Sequence, residues 1–145
     1  IEGGSCNLYD FACQDPINNH DPSRMVCGPG FADWVAPHRI RGLFDFRAAC
    51  RNHDRCYGDR WGTWRSRCDS DFLRDMRGQC SQQHSGWWPW KVAARHACYA
   101  VARAYYTAVD RLGAPVFFRN QYNLCRRRGY GSGAYCAASA ARRAG

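Results

Sequence analysis

Ten cysteines in 145 residues, with no Cys-x-x-Cys among them, constrain this chain more than any other feature. A closed zinc site is usually built from two short paired-ligand knuckles. Here Cys6, Cys13, Cys27, Cys50, Cys56, Cys68, Cys80, Cys98, Cys125 and Cys136 are spread along the whole length. An even count at such spacings reads as a disulfide framework made in an oxidising compartment, so the chain is expected to be secreted. The amino end carries no charged-then-apolar export signal and reads as that of a mature chain.

The length fits one domain. A content of 46% hydrophobic and 14% aromatic residues supplies a core and excludes long-chain disorder. The longest apolar stretch, Val92 to Val101, is interrupted by Arg95 and His96. It falls well short of the roughly 18 apolar residues that cross a bilayer. The formal charge of +9 comes almost wholly from arginine, with Lys91 the single lysine. Such a balance favours polyanionic partners, whether anionic lipid surface, nucleic acid or acidic polysaccharide, and its sign alone does not choose among them.

Residues 1 to 42 are punctuated by Pro16, Pro22, Pro29, Pro37 and several glycines, and read as irregular. From Leu43 onward Phe46, Ala49, Cys50, His53, Cys56 and Tyr57 recur at three- and four-residue intervals, one helical face, with Gly58 as its stop. Ser66-Arg67-Cys68-Asp69 resembles a capping box opening a second helix, with Phe72, Met76 and Cys80 on its inner side. The segment 91–112 lacks Gly and Pro and predicts a third helix with Ala94, Ala97, Cys98, Val101, Ala104, Tyr105, Ala108 and Leu112 on one stripe. Gly113 and Pro115 are expected to end it, and the alanine-rich tail to form a short helix. The expected fold is all-α: three helices cross-linked by disulfides, with the irregular amino-terminal segment laid across them.

Two segments carry chemistry. In Cys50-Arg51-Asn52-His53-Asp54-Arg55-Cys56-Tyr57, a helix turns Cys50, His53, Cys56 and Tyr57 to one side with Asp54 at its edge. Flanking disulfides would anchor that face and hold the imidazole in place. In Val26-Cys27-Gly28-Pro29-Gly30, glycines around a proline let backbone carbonyls turn inward, the kind of oxygen cage that holds a hard cation. Taken alone, it reads first as an ordinary Pro-Gly turn.

Together these residues resemble the secreted phospholipase A2 superfamily. The catalytic helix pattern Cys-x-x-His-Asp-x-Cys-Tyr matches Cys50, His53, Asp54, Cys56 and Tyr57. The calcium-loop pattern Cys-Gly-x-Gly matches Cys27, Gly28 and Gly30, and the second-helix Cys-Asp matches Cys68 and Asp69. The stretch from Arg67 through Gly113 is most similar to the small bacterial members. The resemblance covers roughly residues 25 to 113, leaving an amino-terminal arm (1–24) and a carboxy-terminal extension (114–145) of a single domain. It implies two antiparallel long helices, a third packed helix and an irregular calcium-binding loop. It also implies the disulfides Cys27–Cys50, Cys56–Cys68 and Cys80–Cys98, with the pairing of Cys6, Cys13, Cys125 and Cys136 open. The 25-residue gap from Gly28 to His53 is longer than in the animal enzymes, and the added tail is a second departure.

The implied activity is calcium-dependent hydrolysis of the sn-2 ester of glycerophospholipids. His53 would be the general base, Asp69 the acceptor of its other ring N–H, and Tyr57 a hydrogen-bonding support for Asp69. Ca²⁺ would be held by Asp54 and the backbone carbonyls of Val26, Gly28 and Gly30. By helix spacing Asp71 and Asp75 compete with Asp69, and only the Cys-Asp match favours Asp69. His20, His38, His84 and His96 read as surface or packing residues.

Substrate in a membrane or micelle requires a docking surface. Trp87, Trp88, Trp90 and Lys91, with Arg95 nearby, have the aromatic-plus-cation composition that lodges at headgroup level. The alternative is that one or two of these tryptophans cap the helix junction inside the core. A monomer and no nucleic-acid partner are expected. The competing reading is an inactive phospholipase-like binding protein or toxin on anionic membranes, or a nucleic-acid binder using Arg126, Arg127 and Arg128 with Tyr122, Tyr130 and Tyr135.

Overall fold

The computed structural model describes residues 38–145. The expectations for Cys6, Cys13, His20, Val26, Cys27, Gly28 and Gly30, including the calcium loop, lie outside the described residues.

The described chain is mostly helical, with three disulfides and one small hairpin. That hairpin pairs β1 (Arg39–Ile40) antiparallel with β2 (Phe44–Asp45), in the register Arg39 to Asp45 and Ile40 to Phe44. Gly42 makes the turn possible, because its φ of 83° lies where side chains are disfavoured. The periodic pattern starting at Leu43 therefore begins before the helix does. Phe44 and Phe46 are two residues apart, stack at 4.5 Å and are each met edge-on by Tyr105. They belong to the core through the hairpin rather than a helical turn. Asp45 closes this corner, accepting from the Arg47 backbone N–H and, in bonds of 2.9 and 2.7 Å, from its guanidinium.

Helix α1 (Arg47–Gly58) buries Ala49, Cys50, His53, Cys56 and Tyr57, the face expected from its spacing. Helix α2 (Arg65–Gln83) buries Cys68, Asp69, Phe72, Met76 and Cys80. The Ser66–Asp69 capping box does not form. The N-cap is Trp64, in extended conformation and without a side-chain cap bond, so α2 starts before Ser66 and Asp69 is carried inward. Contacts between α1 and α2 descend one helix as they climb the other: Cys56 with Cys68, His53 with Asp69, Asn52 with Asp75. The two helices thus run antiparallel.

Helix α3 (Pro89–Leu112) buries Cys98, Ala102 and Val109. The expected stripe is only partly inward: Cys98 is buried and Val101 and Tyr105 pack on the core, whereas Ala97, Ala104, Ala108 and Leu112 are exposed. Alanine scores as apolar but has too little surface to decide which side turns inward. Gly113 does end α3, its N–H reaching the Val109 carbonyl at 2.8 Å. Pro115 instead sits at the start of α4 (Ala114–Arg127), where a missing N–H has no consequence. That helix was not anticipated. Its buried positions Phe117, Gln121, Leu124 and Cys125 do keep helical spacing, but a glutamine occupies the middle. The alanine-rich tail forms α5 (Gly133–Ala144), capped by the Ser132 hydroxyl, which accepts from Tyr135 N–H.

Among the described residues, disulfides join Cys56 to Cys68, Cys80 to Cys98 and Cys125 to Cys136. They tie α1 to α2, α2 to α3 and α4 to α5. The open choice for Cys125 and Cys136 is thereby resolved: they pair with each other. Cys50 is disulfide-bonded too. No helix among the described residues is long and apolar enough to cross a membrane.

Candidate active site

His53 lies in the middle of α1 and is only 5% exposed. Its imidazole is held between the Tyr57 ring, 4.3 Å away, and the Phe72 ring of α2, 4.5 Å away. The Nε2 atom is 2.8 Å from Asp69 Oδ1. A carboxylate accepting at Nε2 places the proton of a neutral imidazole there and leaves the lone pair on Nδ1. This is the tautomer a general base requires, on a ring packed against two aromatic neighbours.

Asp69 is 1% exposed and receives three donors. Tyr57 Oη donates to Oδ1 at 2.7 Å beside His53, and Arg65 Nη1 donates to Oδ2 at 3.0 Å. A buried carboxylate persists only when donors or a counter-charge replace water, and here it has both. The rivals by spacing line the same cleft but bond other groups than the imidazole. Asp71 pairs with Arg74 at 3.0 Å, and Asp75 accepts from Asn52 at 3.3 Å.

Burial, reinforced by the negative charge of Asp69, pushes the Tyr57 phenol well above its ordinary range. It therefore remains a hydrogen-bond donor at any physiological pH. Its position is fixed from the far side by α4: Phe117 packs edge-on at 5.1 Å, and buried Gln121 donates to the Tyr57 and Arg60 carbonyls. Gln121 Oε1 also accepts from Gly62 N–H, so one side chain fastens the end of α1 to the α1–α2 turn. A Cβ at Gly113 would collide with the Tyr57 hydroxyl, which makes glycine necessary at that approach.

A cleft of about 300 Å³ opens beside the imidazole, lined by Asn52, His53, Phe72 and Asp75. Asp54 follows His53 on α1 and is exposed. Among the described residues no group of three or more His, Cys, Asp or Glu side chains is arranged to hold a metal. The anticipated calcium donors include only one carboxylate, with the backbone carbonyls on residues outside the described part.

Trp87, Trp88 and Trp90 form a ladder at the start of α3, stacked at 4.5 and 5.1 Å with interplanar angles of 17°. They are 76%, 47% and 64% exposed, so none of the three caps the junction from inside the core. Lys91 is half-buried. Arg95 differs from the expectation: its Nη1 donates to the His84 and Gly86 carbonyls, so it braces the tryptophan loop. His84 is buried against the Leu43 carbonyl and His96 is exposed beside Tyr99, both outside the His53 cluster.

The arginine triplet spans the carboxy-terminal end of α4, where positive charge opposes the helix dipole. Tyr122 stacks on Phe118, and Tyr130 packs against Trp61. The residues that sequence reasoning missed are Arg65, Gly113, Phe117 and Gln121. Arg65 had a signal, since it precedes Asp69 by four residues and shares its helix face. Gln121 had none, because its partners are backbone carbonyls about sixty residues away.

Comparison with family models, curated proteins and solved structures returns no match to this chain.

Proposed function

We propose that the protein is a secreted, calcium-dependent phospholipase A2 with the fold of that superfamily, hydrolysing the sn-2 ester of glycerophospholipids to a lysophospholipid and a fatty acid. The observation that carries this reading is the buried His53–Asp69–Tyr57 cluster. Its tautomer-fixing bond at 2.8 Å and its supporting hydroxyl at 2.7 Å suit an imidazole that activates water.

In this reading His53 Nδ1 takes a proton from water as the hydroxide attacks the ester carbonyl. It then returns that proton to the departing glycerol oxygen. Asp69 stabilises the imidazolium between the two transfers, and Tyr57 keeps the carboxylate from turning away. Asp54, an exposed oxygen donor one residue after the base, fits a hard cation, and the carbonyls of Val26, Gly28 and Gly30 would complete the ligand set. When bound, Ca²⁺ supplies charge stabilisation for the oxyanion. With a single carboxylate its dissociation constant is expected on the order of 10⁻⁴ to 10⁻³ M.

The tryptophan ladder supplies the docking surface. From Asp69 to His84 along α2 is about 20 Å at 1.5 Å per residue, so the indoles are too distant to touch the reacting ester. They are suited instead to lodging at the headgroup level of the surface that holds the substrate. His53→Gln and Asp69→Asn test the reading directly. His53→Gln is expected to abolish fatty-acid release, and Asp69→Asn to lower kcat by about 10²- to 10⁴-fold through loss of the imidazolium partner. Undiminished release by the His53 variant would refute it.

A further inference from the structure

Two of the three donors on Asp69, His53 Nε2 and Tyr57 Oη, share Oδ1. Bonds at one oxygen leave the plane of a carboxylate free to rock about its last torsion, and the imidazole would rock with it. The second oxygen is held by Arg65 Nη1. Arg65 is itself over-determined: its Nε donates to the Ala144 carbonyl at 2.6 Å, and its Nη1 also donates to the Asp110 carbonyl at 2.9 Å. Those carbonyls end α5 and α3, where helical acceptors lack partners within their own helix and carry the negative end of the dipole. A planar guanidinium is suited to bridge three such acceptors, and its side chain is only 14% exposed.

We propose that Arg65 is a positioning residue for the His53–Asp69 pair, fixing the plane of the Asp69 carboxylate from Oδ2 while the carbonyls ending α3 and α5 hold the guanidinium. The kinetic consequence rests on the hydrolase reading above; the effect on the His53 ring does not. Lysine keeps the charge but presents a point ammonium on a flexible stem, so it can satisfy Oδ2 without defining a plane. Methionine keeps the length and removes both charge and donors.

The test compares the wild type, Arg65→Lys and Arg65→Met by proton NMR and by steady-state kinetics on phospholipid vesicles with Ca²⁺. The His53 Nε2–H resonance is identified by its loss in His53→Gln. Arg65→Met is expected to displace or broaden this resonance while circular dichroism is retained. Its kcat should fall about 10- to 100-fold with KM little changed, as misplacement of a catalytic group by a fraction of an ångström produces. Arg65→Lys should move the resonance the same way by less and recover part of kcat. An unmoved resonance in Arg65→Met, or a lysine variant as impaired as methionine, overturns the proposal. If Arg65→Met does not fold, an unmoved resonance with wild-type kcat in Arg65→Lys overturns it equally. A wild type that hydrolyses no phospholipid refutes the hydrolase reading, and the resonance then decides the role of Arg65 alone.

Discussion

At the scale of single residues, the Tyr57 phenol links the site to stability. Burial and the Asp69 charge raise its pKa in the folded chain, whereas in the unfolded chain it titrates near about 10. A group raised on folding contributes stability that is complete below its unfolded pKa and is lost as pH rises above it. Urea unfolding between pH 7 and 11 should therefore show the wild type losing stability above about pH 10 relative to Tyr57→Phe. At pH 7 the phenylalanine variant is expected to be about 1–2 kcal/mol less stable, since Asp69 loses one donor without gaining water. Parallel pH profiles for the two proteins would contradict the buried bond. At this scale much was legible: His53, Asp54, Cys56 and Tyr57 stand in one short run, and helix periodicity turns three of them inward. Axial level alone did not separate Asp69 from Asp71, since two residues are only about 3 Å along the axis; the rotation of about 200° that goes with them is what puts Asp69 on the buried face with Phe72. Arg65 and Gln121 act through backbone carbonyls of distant elements, which no local pattern encodes.

At the scale of elements, the additions concern the last thirty residues. Helix α4 was obscured because Pro115 marks helix ends and helix starts alike, and because its inner face carries Gln121 in place of an apolar residue. Yet α4 supports the candidate site, through Phe117 against Tyr57 and Gln121 on the end of α1. Replacing Cys125 and Cys136 together with serine is expected to lower stability by about 3 kcal/mol for a loop of this length and to loosen α5 from α4. Denaturant melts would read the loss, and a change below about 0.5 kcal/mol would show that α5 packs without its disulfide. Gly113→Ala tests the close approach at the α3–α4 junction. It should lower kcat by displacing the Tyr57 hydroxyl, an effect visible as altered tyrosine hydrogen bonding in ultraviolet resonance Raman spectra. Wild-type kcat and spectra would show that the junction yields instead. The exposed alanines of α3 teach a related point: a stripe of small residues marks a helix but does not orient it.

For the whole molecule, the framework read from ten cysteines holds over the described residues. Three disulfides connect α1 to α2, α2 to α3 and α4 to α5, and the hairpin with Phe44 and Phe46 packs on the face of α3 that carries Tyr105. Charge and docking act at this scale too. With +9 overall and an exposed indole ladder, binding to anionic vesicles should weaken as salt rises. Trp87→Ala with Trp88→Ala should reduce vesicle binding while sparing hydrolysis of a monomeric short-chain ester. Equal loss on both substrates would mean that the ladder serves the fold. The central claim, that His53 drives calcium-dependent attack on one ester of a phospholipid, is tested most directly by a vesicle assay with distinguishable acyl chains at the sn-1 and sn-2 positions. Release of the sn-2 acid alone, abolished by chelator and restored by added Ca²⁺, is the result predicted. Undiminished release in excess chelator, or release from the sn-1 position, would contradict it.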